Sequence, residues 1–297
     1  MDAIDYTIEE RNLPVADGMA LGIRDYQPTR PTSAVTVIYL PGFLRAARDF
    51  DRVATRLAYD RRVLEIDTRG RGKASRAGHS KDYHFDLLVA DVWKVLDHLG
   101  IDRVVVVGVA LGAFMAWQMA SERPERIAGI VANDTGTETS SKSGKKMIAA
   151  ADADAYTFDA AVDKLRTATA HNFPDFGEQD WRNYARQVYT GVGDGKYVRN
   201  FDALFLEELA RFKLEKESFW DEFVSLRNLP IALLRGVNSD YFTSDQARKM
   251  AAAQPLAELV EVGGRGHPLL LDEPQSLASI RKLLTMADQG GNKASAN

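Results

Sequence analysis

The chain has 297 residues, 45% of them hydrophobic, enough for one sizeable domain with a large core. A formal net charge of −4 gives no electrostatic case for nucleic acid or an anionic membrane as a partner. The absence of cysteine excludes disulfides, thiolate metal sites and a cysteine nucleophile.

The N-terminus, Met1-Asp2-Ala3-Ile4-Asp5, has no basic n-region and no apolar h-region, and no run approaches a membrane span. The expectation is a soluble cytoplasmic protein. Residues 3–10 and 19–27 alternate apolar and polar around Pro14, Asp17 and Gly18, which predicts an antiparallel hairpin at a sheet edge. A buried strand over 34–40 ends at Pro41-Gly42, and a helix follows over 46–59. The strand at 62–67 leads into the loop Thr68-Arg69-Gly70-Arg71-Gly72. Leu88, Val92, Val95, Leu96 and Leu99 give helical spacing over 85–99, stopped by Gly100. Then come a β-branched strand at 103–107, a glycine-framed turn at 108–112, a helix at 113–123 and a strand at 127–132. Such alternation predicts an α/β fold built on a mostly parallel, doubly wound sheet.

The alternation stops near Asn133-Asp134. Residues 136–228 show no buried-strand pattern; they are polar at first, then helical in spacing and rich in aromatics. This segment reads as a helical cap inserted in the sheet, a lid candidate over the carboxyl ends of the strands, with most aromatics forming its own small core. Strands resume at 230–234 and 259–262, with helices at 243–253 and 273–287. The α/β core therefore comprises 1–135 and 229–287, and the polar residues 288–297 read as a disordered tail.

The turn at 108–112 reads Gly-Val-Ala-Leu-Gly. This is the frame of a nucleophile elbow, G-x-S-x-G, between strand and helix, with Ala110 where the attacking serine belongs. In chain order the same chemistry needs an acid and then a histidine, each on a loop after a later strand. Asp240, in Val237-Asn238-Ser239-Asp240, follows the strand at 230–234 and is the preferred acid. Asp134, after the strand at 127–132, is the alternative, or else a turn residue opening the insertion. His267 is presented by the tight loop Gly263-Gly264-Arg265-Gly266. The acid fixes the tautomer of the histidine, which acts as general base. The oxyanion hole is expected from the backbone N–H groups of Phe43 and Leu111.

With Pro-Gly-Phe at 41–43, Asp-Thr-Arg-Gly-Arg-Gly at 67–72, the elbow, Arg-Gly-x-x-Ser-Asp at 235–240 and Gly-Arg-Gly-His at 264–267, the chain resembles the α/β-hydrolase family over residues 1 to about 287. No one of these motifs is decisive; the ordered set is specific. The resemblance implies an eight-stranded, mostly parallel sheet with helices on both faces and a helical cap after the sixth strand. It is to the small bacterial esterase, lactonase and carbon–carbon hydrolase branch. The chain departs from the family at Ala110 and at Pro41, where His-Gly often precedes the oxyanion residue.

Other candidates carry bland readings. Arg69 and Arg71 could form an anion site, but are read as structural partners of nearby acids such as Asp67. His79, His84, His98 and His171 are left out of the site. Gly191 to Lys196 lacks phosphate-loop spacing. No metal or organic cofactor is implied, the partner is a small-molecule ester or lactone, and a homo-oligomer is left open.

The expected chemistry is serine-type hydrolysis of a small or medium carboxylic ester or lactone through an acyl-enzyme. Carbon–carbon hydrolysis with the same three residues is the alternative. Three readings of Ala110 compete. The favoured one is an inactive variant in which the serine oxygen has been deleted and the site otherwise kept. The others are a natural non-catalytic binder and an enzyme whose histidine and acid abstract a proton without a nucleophile.

Overall fold

The structure, a computed structural model, describes residues 5–139, 151 and 154–294. Residues 1–4, 140–150, 152–153 and 295–297 lie outside the described residues; they hold the start of the expected hairpin, the polar opening of the insertion and the end of the expected tail.

The chain opens with an antiparallel hairpin, β1 (Tyr6–Pro14) and β2 (Ala20–Pro28), turned by Asp17 and Gly18 at positive φ. Then follow β3 (Thr36–Leu40), α1 (Asp51–Leu57), β4 (Val63–Asp67), α2 (Phe85–His98), β5 (Val104–Val109), α3 (Leu111–Glu122) and β6 (Ile127–Asn133). After an insert come β10 (Ile231–Gly236), α8 (Ser244–Ala253), β11 (Ala257–Val262) and α9 (Pro274–Ala294). The sheet has eight strands in the order β1-β2-β4-β3-β5-β6-β10-β11. The first two pairings are antiparallel and the rest parallel.

All six residues of β5 are buried, as a β-branched run in a sheet covered on both faces requires. Gly129 of β6 pairs with Val105, and a Cβ there would meet Leu283 of α9. Gly108 lies three residues past Val105, on the opposite face, and a Cβ there would meet Gly112 of α3. Helices therefore pack on both faces. The order also fixes where a site can form. The chain leaves β3 for β4 on one side and comes back to β5 on the other, opening a crevice at the carboxyl ends of β3 and β5.

The insert carries β7 (Tyr156–Thr157), α4 (Phe158–Thr169), α5 (Glu178–Val188), β8 (Tyr189–Gly193), β9 (Lys196–Arg199), α6 (Leu204–Glu215) and α7 (Trp220–Ser225). Its aromatics divide. Phe173, Trp181 and Tyr184 form a separate small core with Val162, Leu165 and Val188. Phe201, Phe205, Phe219 and Phe223 belong to the main core, with Phe219 stacked on Phe114 of α3 at 5.2 Å. The three short strands form a second sheet, β7-β9-β8, that the sequence did not reveal. The run 191–196 is its hairpin turn, with Asp194 and Gly195 at φ 48° and 66°, as two-residue hairpin loops need.

The expected tail also departs from expectation. Helix α9 continues through Ala294, and within it the Asp288 side chain accepts from the Val35 N–H (2.9 Å) and from Arg61 (3.2 Å), which ties the helix to the start of β3. No helix among the described residues is long and apolar enough to cross a membrane.

Candidate active site

Ala110 sits at the sharp turn between β5 and α3, with φ 48° and ψ −111°. Such a backbone costs about 1–3 kcal/mol for a residue with a Cβ and persists only where the surroundings enforce it. Here they do. The Ala110 N–H donates to Thr135 Oγ1 (2.8 Å), and its carbonyl accepts from Ala113 and Phe114 as the first turn of α3 begins. The flanking glycines are sterically required. A Cβ on Gly112 would lie 2.0 Å from the Leu40 carbonyl oxygen, and one on Gly108 would lie 2.5 Å from backbone atoms of Gly112. Backbone cannot swing aside as a side chain can, so Gly112→Ala is expected to lower unfolding free energy by about 3 kcal/mol or more, read as a shifted denaturant midpoint. A midpoint within error of the parent would contradict this close packing.

His267 lies on the loop after β11. Its Nδ1 is 3.0 Å from Asp134 Oδ2 and 3.1 Å from the Asp134 carbonyl oxygen. A carboxylate and a carbonyl only accept, so Nδ1 carries a proton. The ring stacks on Tyr241 at 4.0 Å. Burial, with the Asp134 charge nearby, pushes the Tyr241 phenol up.

Asp134, and not the preferred Asp240, is therefore the acid the fold brings to the histidine. Asp134 follows β6 in a positive-φ turn (47°) and is fully buried. Its Oδ1 accepts from the Gly236 N–H (2.8 Å) and its Oδ2 from the Ser239 hydroxyl (2.5 Å). The Ser-Asp pair does reach the site, but through the serine. Ser239 turns inward to Asp134, and the next residue, Asp240, turns out to the exposed surface. The signal for Asp134 was present in the sequence: a polar Asn-Asp-Thr run closing a buried strand beside the elbow strand.

The insert holds the histidine loop. Asn172 donates from Nδ2 to the His267 carbonyl (2.9 Å), and its own carbonyl accepts from the Gly266 N–H (2.9 Å). On the next turn Arg265 pairs with Asp175 at 2.6 Å, which holds that carboxyl below its usual range. Phe43 and Leu111, the expected oxyanion residues, are both buried at the carboxyl ends of β3 and β5, with the Phe43 ring 6.1 Å from Phe114.

Of the two loop arginines, Arg69 does pair with an acid, but with Asp91 of α2. Asp67 instead accepts from the Ala47 and Lys73 N–H groups (2.7 and 2.9 Å). Asp67 also lines a cavity of about 570 Å³ between strands β2 and β4 and the insert, with Arg24, Glu65 and Tyr189. Glu65 is buried there with Oε2 lacking a hydrogen-bond partner among the described residues, and burial raises its pKa well above the ordinary 4.5. A raised carboxyl stays protonated in the fold while the unfolded chain ionises, so its penalty grows as pH climbs above about 4.5. Glu65→Gln is expected to raise the melting temperature at pH 7 by about 2–4 °C, a gain that fades toward pH 4. A gain that grew with acidification would reverse the sign. Among the described residues no cluster of three or more His, Cys, Asp or Glu is placed to hold a metal ion.

The arrangement matches known proteins. The family model for the alpha/beta hydrolase fold matches residues 35–274. The crystal structure of an alpha/beta hydrolase from Novosphingobium aromaticivorans is 32% identical, with 95% of this chain and 99% of that one covered and a TM-score of 0.86. The 3-hydroxybutyrate-oligomer hydrolase of Cupriavidus necator is 22% identical over 86% of this chain and 90% of its own. A putative 2-succinyl-6-hydroxy-2,4-cyclohexadiene-1-carboxylate synthase of Bacillus subtilis is 22% identical over 91% and 96%. Sheet order, elbow geometry and these full-length matches together place the chain in the alpha/beta hydrolase fold family.

Proposed function

We propose that the site is that of a serine-type hydrolase for small or medium carboxylic esters or lactones, here with its nucleophile position occupied by Ala110. The observation that carries this reading is the backbone at Ala110. It is a strained turn, enforced by two glycines and bonded to Thr135, the neighbour of the acid that faces His267 Nδ1. An ordinary alanine needs none of this. The 22% relative named as a 3-hydroxybutyrate-oligomer hydrolase supports the same class of chemistry.

In a serine-bearing site, His267 Nε2 takes the hydroxyl proton as the oxygen attacks the carbonyl carbon. The Phe43 and Leu111 amides receive the oxyanion, and Asp134 stabilises the imidazolium. The alcohol leaves with the proton from His267, and water then cleaves the acyl-enzyme. A methyl group has no lone pair, so this chain holds the ester without acyl transfer. The insert serves as the lid. Intact-protein mass spectrometry after incubation with p-nitrophenyl butyrate tests the reading. The parent should gain no mass, and Ala110→Ser with His267→Ala should report whether the histidine is the base.

The intact His267–Asp134 pair also favours a second reading, proton abstraction without covalent catalysis. That reading requires activity in the parent chain, lost in His267→Ala.

A further inference from the structure

Arg71 is a fully buried guanidinium with no carboxylate within 4.0 Å among the described residues. Its Nη1 donates to the Phe43 carbonyl at 3.4 Å, and its guanidinium carbon lies 4.2 Å over the Phe205 ring of the insert. It is thus held at the seam between the core and the insert. Nε and Nη2, both buried, have no hydrogen-bond partner among the described residues. These two nitrogens form the side-on fork that grips a carboxylate with two parallel bonds. The same protein uses that fork twice. Arg62 binds Asp25 through Nε and Nη2 at 2.9 and 2.6 Å, and Arg69 binds Asp91 through the same pair at 2.5 and 3.1 Å. The carboxylate on the same loop, Asp67, attracts Arg71 from beyond 4.0 Å, but its oxygens are directed to two backbone N–H groups. Burial lowers the Arg71 pKa to about 9, which leaves it a cation at neutral pH. A buried guanidinium whose fork makes no hydrogen bond is costly in a free protein, and a ligand carboxylate would complete it.

We infer that Arg71 anchors a free carboxylate on the substrate, so that the ligand is an ester or lactone bearing a second, ionised carboxyl group. The ester end of this inference rests on the function proposed above; the carboxylate end rests on Arg71. One residue serves both ends. The Phe43 carbonyl accepts from Arg71, and the Phe43 amide is the one assigned to the oxyanion.

The test is calorimetric titration of the chain as it stands with the monomethyl and dimethyl esters of malonate, succinate, glutarate and adipate. At least one half-ester is expected to bind about ten- to a hundred-fold tighter than its diester, the range for hydrogen bonds to a charged group. Arg71→Met should erase that preference while keeping a melting temperature no lower than the parent's. Arg71→Lys, which keeps the charge and loses the fork, should retain a part of it and decides the matter if the methionine variant does not fold. The inference is overturned if no half-ester is preferred by the parent, or if the preference survives in Arg71→Met. The two proposals fail separately. An Arg71-dependent preference alongside an Ala110→Ser variant inert to every ester would sink the hydrolase reading alone. Ester hydrolysis by that variant with no charge preference would sink the anchor alone.

Discussion

Ala110→Ser is expected to raise ester hydrolysis by about five to six orders of magnitude over the parent. Removing the nucleophile of a serine hydrolase costs about a million-fold in turnover, and the reverse change should recover most of it if the rest of the site is in place. The structural cost of the change is small. It adds one oxygen to a side chain whose backbone strain is already present in the alanine form, so the fold need not adjust. The added hydroxyl stands at the N-terminus of α3, where the helix dipole favours the negative charge that develops nearby. Release of p-nitrophenol from short acyl esters measures the rate, and acylated protein in the mass spectrum identifies the intermediate. A serine variant that folds with the parent's stability, yet stays inert across esters and lactones of several chain lengths, would refute the proposed chemistry.

In that serine background the two acids should separate sharply. Asp134→Asn is expected to lower kcat by about ten-thousand-fold, since an amide no longer enforces the proton on Nδ1 or balances the imidazolium. The binding constant should change little, because Asp134 is buried behind the histidine and held by Gly236 and Ser239. Asp240→Asn should leave kcat within about twofold, as expected for an exposed position while Asp134 holds His267 Nδ1. Equal losses in the two variants, or a larger loss at Asp240, would mean that the histidine exchanges partners during turnover.

The contrast between these acids marks where sequence reading stops. The strands were legible because a sheet buried on both faces needs continuous β-branched runs, and Val104 to Val107 is such a run. The elbow was legible because its glycines are imposed by backbone contacts that no other residue satisfies. Which of two loops delivers the acid is a different kind of question. It depends on whether Ser239 or Asp240 turns inward after β10, and a one-residue shift in a turn reverses that without changing composition. The small sheet β7-β9-β8 was hidden because its strands are short and largely exposed, so they lack an apolar alternation. The extension of α9 past residue 287 is accompanied by a tie from Asp288 to Arg61 and Val35, 227 and 253 residues away along the chain. For the loop arginines, composition suggested nearby acids; the fold gave one of them a carboxylate and left the other's fork open.

Asn172 gives the insert an authority over chemistry that its distance along the chain conceals. It grips the backbone on both sides of the bond joining Gly266 to His267, through one donor and one acceptor. If the insert acts as the proposed lid, a swing that admits a ligand would loosen the loop that carries the imidazole, so that enclosure of the ligand and alignment of the base would come together.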